Sequence, residues 1–86
     1  MIKAPRDIVN ATLSYLVEVT PSTQKISGVR IEEIQPFHEN AKDFWKVILS
    51  FDNVGELPFD RKREYKEFKV QDDPIHVIKM TSVDDK

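Results

Sequence analysis

The chain has 86 residues and a net charge of −2; 40% of the residues are hydrophobic and 33% charged. That is enough for a single hydrophobic core and too apolar for a disordered tail. Charges of both signs are mixed along the chain, so there is no general pull toward nucleic acid or an anionic membrane. The absence of cysteine removes disulfides, thiolate metal sites and cysteine nucleophiles together.

Residues 1–7 (Met1-Ile2-Lys3-Ala4-Pro5-Arg6-Asp7) lack the apolar core of a signal peptide, and no apolar run approaches ~18 residues. A cytoplasmic protein without a membrane segment is expected. Met1 and the charged end Asp84-Asp85-Lys86 give the expectation of a complete small chain.

Residues 5–20 have a helical pattern. Ile8, Thr12, Tyr15, Leu16 and Val19 recur at three- and four-residue spacing, and Val9 and Leu13 widen the stripe. Pro5 fits the first turn, Asp7 suits the positive helix end, and Pro21 is the stop. The β-branched residues Val9, Thr12, Val17 and Val19 weaken intrinsic propensity, so packing must hold this helix.

Residues 26–37 read as a strand in which Val29 and Ile31 alternate but Ile34 falls out of phase, so a bulge is expected near Glu32. Pro36 favours an edge strand or a strand end. The turn composition of His38-Glu39-Asn40-Ala41-Lys42 predicts a hairpin.

The run Phe44-Trp45-Lys46-Val47-Ile48-Leu49-Ser50-Phe51 is the longest apolar stretch and reads as an inner strand. Trp45, Val47, Leu49 and Phe51 share one face, expected under Ile8, Leu13, Tyr15 and Leu16. Phe44 and Ile48 fall on the other face, expected to be exposed unless something covers them. Asp52-Asn53-Val54-Gly55 is a stop signal, and residues 56–62 are expected to form a loop carrying Leu57-Pro58-Phe59.

Residues 63–71 are ambiguous because alternation is imperfect between Tyr65 and Phe68; a strand with a bulge or twist is favoured. Asp72-Asp73-Pro74 is a turn. Residues 75–83 form the last strand, with Ile78 and Met80 expected on one face and Ile75 and Val77 on the other. One helix followed by four strands on short connections predicts a single α+β domain over residues 1–86, the N-terminal helix packed on a four-stranded antiparallel sheet in two layers.

That order is similar to the cystatin-like class of folds, and more narrowly to PepSY-type domains. The resemblance is carried by the N-terminal helix, the Phe44-Trp45-Lys46-Val47 strand pattern, and Tyr65-Lys66-Glu67-Phe68-Lys69-Val70-Gln71-Asp72-Asp73. This last run looks like the strand and acidic turn with which PepSY domains approach their final strand. Glycine is common in such turns near the position that Asp73-Pro74 occupies, and the Gln-Val-Val-Ala-Gly and Pro-Trp loops of cystatin inhibitors are missing here. The resemblance therefore implies an architecture and transfers no functional residue.

Catalytic constellations are not evident. His38 and His76 lie on different expected strands without the spacing of a metal site. Glu32 and Glu33 are adjacent in a strand and so point to opposite faces, unlike an acid/base dyad. Ser14, Ser22, Ser27, Ser50 and Ser82 lie outside any nucleophile elbow, and Gly28 and Gly55 are too far apart for a phosphate loop. The expectation is a protein-interaction or regulatory domain with no enzymatic activity, cofactor or metal. Phe44, Ile48, Leu57, Pro58 and Phe59 are its candidate partner contacts, and a homodimer through a sheet face or edge is compatible with one helix covering one face. The lesser reading is a nucleic-acid accessory protein using Arg61, Lys62, Arg63, Tyr65, Lys66 and Phe68, where basic charge alternates with aromatic rings.

Overall fold

The computed structural model describes residues 5–21, 25–54 and 61–83. Within them lie a helix α1 (Pro5–Val19) and strands β1 (Lys25–Glu39), β2 (Lys42–Val54), β3 (Arg61–Gln71) and β4 (His76–Val83). The strands form one antiparallel sheet in the order β1-β2-β3-β4. This is the expected α+β arrangement.

Pro5 opens α1, where its missing N–H costs nothing, and Asp7 lies in the first turn. Ile8, Thr12 and Leu16 form the buried stripe. A threonine is tolerated there because its hydroxyl donates to the Ile8 carbonyl at 2.8 Å. At the other end the Thr20 hydroxyl donates to the Leu16 carbonyl at 2.6 Å, occupying a carbonyl that the helix leaves without a partner, and Pro21 follows.

The core joins Ile8 and Leu16 to Trp45, Val47, Leu49, Phe51, Phe68, Val70 and Val77, with Leu13 and Tyr15 packed against it. The Tyr15 ring meets Phe68 edge-on, with centroids 6.3 Å apart. Trp45 donates its indole N–H to the buried Asp72 carboxylate at 2.7 Å, and the Asp72 amide donates to the Asp43 carbonyl at 3.1 Å. These two bonds hold the β3–β4 turn against the start of β2.

Strand β1 is an edge strand, as Pro36 predicts, and its register against β2 shifts at Glu32, between Ile31 and Glu33. That shift returns Ile34 to the core face opposite Val47. A second irregularity, between Ser27 and Arg30, is centred on Gly28, whose φ of 62° is a conformation that disfavours any Cβ.

The structure corrects several expectations about the strands, among them the loop expected over 56–62, since β3 already begins at Arg61. Strand β2 runs on through Asp52-Asn53-Val54, because those residues pair with both β1 and β3. Strand β3 keeps an unbroken register with β2, so Tyr65 and Phe68 simply face opposite sides. The bulge lies in β4 instead: Lys79 pairs with Lys69 and Val77 with Val70, leaving Ile78 as the extra residue. Val77 and Met80 thus share the core face, and Ile78 is exposed.

The β1–β2 hairpin closes with Glu39 opposite Lys42 and only Asn40 and Ala41 between them, both at positive φ (51° and 64°). This is the two-residue turn whose twist matches the strands. Asn tolerates that backbone, whereas Ala is strained in it. Ala41→Gly is therefore expected to raise unfolding free energy by about 0.5–1 kcal/mol, read from urea denaturation.

Candidate interaction surface

With the helix on one side, strand alternation places Arg63, Tyr65, Glu67, Lys69 and Gln71 of β3 on the open side. Their partners on β2 there are Asp52, Ser50, Ile48, Lys46 and Phe44. Polar interactions dominate this face. Ser50 is fully buried on it, accepting from Arg63 Nη2 at 2.7 Å and donating to the Glu32 carboxylate. Arg63 Nη1 also donates to the Gly28 carbonyl at 2.9 Å and lies 3.3 Å from Asp52 Oδ1. One guanidinium thus reaches across β2 to both irregularities of β1, directly at Gly28 and through Ser50 at Glu32.

Farther along the open face Phe37 and Phe44 stack with centroids 5.6 Å apart. The Lys69 ammonium lies 4.6 Å from the Phe44 centroid and 2.7 Å from Glu39 Oε1. Phe44, expected to be exposed, is only 8% accessible. The reason is its neighbours: the Phe37 ring and the Lys69 side chain cover it while the ammonium stays paired with Glu39. Ile48 is half-buried on the same face. Leu57, Pro58 and Phe59 lie outside the described residues.

Lys69 belongs to an unusual row. Lys46 of β2, Lys69 of β3 and Lys79 of β4 lie directly opposite one another across three strands. Like charges placed directly opposite are destabilising. Glu33 relieves Lys46 at 3.1 Å and Glu39 relieves Lys69, whereas Lys79 is exposed and meets no carboxylate at ion-pair distance among the described residues. The row edges a depression of about 220 Å³ that Phe37, Glu67 and Thr81 also line.

The residues expected to contact nucleic acid do not form one surface. Arg61, Arg63 and Tyr65 face the open side, whereas Lys62, Lys66 and Phe68 alternate to the helix side. Phe68 is wholly buried beneath Tyr15 and has no face left for a base, which corrects its proposed contact role. Lys66 lies 3.7 Å from Glu64 and donates to Ser82 at 2.6 Å. The two histidines do not converge either: His38 Nδ1 lies 2.9 Å from Asp43 Oδ1 in the first hairpin, and His76 begins β4. Among the described residues no group of three or more His, Cys, Asp or Glu could hold a metal.

Compared with known proteins, the chain matches no family model, no curated protein and no solved structure.

Sequence reasoning missed a surface on the helix side. Ile31 is paired with the core residue Leu49, yet it is 51% exposed, and nearby Val29 is 39% exposed. The helix packs against β2, β3 and β4, short of this part of β1. The apolar alternation of Val29 and Ile31 was visible in the sequence; how far the helix reaches was not.

The cover over Phe44 is testable. Lys69→Ala is expected to lower stability by about 1 kcal/mol in urea denaturation, through loss of both the aliphatic stem and the cation over the ring. Lys69→Met, which keeps the stem, should recover at least half of that.

Proposed function

We propose that this chain is a small protein-interaction or regulatory domain that acts by surface contact and without chemistry. The observation that carries the reading is the pair Val29 and Ile31, β-branched apolar side chains exposed beside the core on the edge strand. An apolar pair at the margin of a core gains by being covered, and a protein surface is the natural cover. The partner is another protein or a second copy of this chain, meeting it along β1. Two irregularities and Pro36 interrupt β1, which favours contact through side chains over simple extension of the sheet.

The order of one helix and four strands supports membership of the cystatin-like class and, within it, likeness to PepSY-type domains. A cytoplasmic setting is part of the same proposal, and the cysteine-free composition is compatible with it. No helix among the described residues is long and apolar enough to cross a membrane.

Ile31→Lys and Val29→Lys should leave urea stability within about 1 kcal/mol of the parent, because both positions are exposed. Proteins retained from native lysate by the immobilised parent should be lost with either variant. If the parent self-associates, sedimentation should show the variants as monomers. Identical retention by parent and variants, or no retention and no self-association, would end this reading.

A further inference from the structure

The lysine row lies on the opposite side of the sheet from Val29 and Ile31, and it carries an inference independent of them. Strand spacing of about 4.8 Å sets the three lysine-bearing strands within about 10 Å of one another. An ammonium has three donors. Lys46 commits one to Glu33 and Lys69 one to Glu39, and Lys79 meets no acid among the described residues. Donors therefore remain on adjacent strands beside a depression of about 220 Å³. That volume is below the roughly 300–1,000 Å³ of small-molecule sites and suits one or two inserted side chains.

We propose that this part of the open face binds an acidic segment of a partner protein, its carboxylates seated on Lys46, Lys69 and Lys79 and its apolar atoms against Phe37. Charge complementarity selects the occupant. The row is the place on the sheet where like charges lie directly opposite, and an incoming carboxylate relieves that repulsion. The acids around it decide between a peptide and a nucleic acid. Glu33, Glu39 and Glu67 flank the lysines, so a strand with a phosphate on every nucleotide would bring negative charge against them. A peptide can place one or two carboxylates on the row and neutral residues over the glutamates.

The test uses the isotopically labelled full chain and three probes: a short peptide rich in Glu, Asp and Leu, its counterpart with every acid replaced by the amide, and single-stranded oligothymidylate. At low salt the acidic peptide should shift the amide resonances of Lys46, Lys69, Lys79 and Thr81 saturably. The amide counterpart should bind about tenfold more weakly or worse, and higher salt should weaken the acidic peptide. Lys79→Glu should cost about tenfold or more in affinity. Because Lys79 is exposed and holds no ion pair among the described residues, the variant should keep the parent's dispersed spectrum, and Lys79→Gln provides a milder second variant with an intermediate loss. Equal binding of both peptides, unchanged binding by Lys79→Glu, shifts elsewhere on the fold, or a response to oligothymidylate alone would each overturn the proposal. Loss of partners on Ile31→Lys has no bearing on this result, so the two surfaces stand or fall separately.

Discussion

The constraint on which this structure depends is a mismatch of reach. A helix of 15 residues is about 22 Å long, whereas a strand of 15 residues extends for about 50 Å. One such helix can seal the centre of a four-stranded sheet and no more. The residues beneath it, Val47, Leu49, Phe68 and Val70, are completely dry. Beyond its footprint the same face of the sheet continues into β1 and leaves Val29 and Ile31 in water. The opposite face has no second layer among the described residues and must be stable in contact with solvent. It manages this with side chains that are apolar along their stems and charged at their tips, of which Lys69 over Phe44 is the clearest case.

The same alternation that builds the core distributes charge. Residues 61–69 look like one basic and aromatic ribbon when read as text, but a strand divides them between two environments. Phe68 goes to the interior, Lys66 to the margin of the helix side, and Lys69 to the open face. Side chains distant in sequence meet in return: Lys46, Lys69 and Lys79 become neighbours only when three strands pair in this register. The mutual repulsion of such a row works against folding, and it is offset where Glu33 meets Lys46 and where Glu39 and the Phe44 ring meet Lys69.

The sequence reveals the parts of the fold that follow from local pattern. The helix stripe, its proline boundaries, the inner strand at Trp45 and the shift at Glu32 all arise from spacing and residue type within a dozen residues. What could not be read depends on pairing across strands. Asp52-Asn53-Val54 has the composition of a loop, yet two neighbouring strands hold it extended. Tyr65 and Phe68 suggest a bulge or twist in β3, whereas the extra residue sits at Ile78 in the strand beside it. At the surface, the open side of Ile48 and Phe44 was legible from alternation. The burial of Phe44 was not, since it needs Phe37 and Lys69 from two other strands.

Arg63 gives the edge strand a property of its own. Both departures of β1 from regular pairing are tied to a side chain two strands away, through the Gly28 carbonyl and through Ser50 to Glu32. An edge strand joined only by its own ladder can fray by itself. Here, peeling β1 away would also take the Gly28 carbonyl from Arg63 and the Glu32 carboxylate from the buried Ser50 hydroxyl. The outermost strand is thus wired into the interior of the sheet and should open with β2 and β3 as one cooperative unit, its protected amides exchanging with theirs. An edge held in this way keeps its shape although most of its residues face solvent.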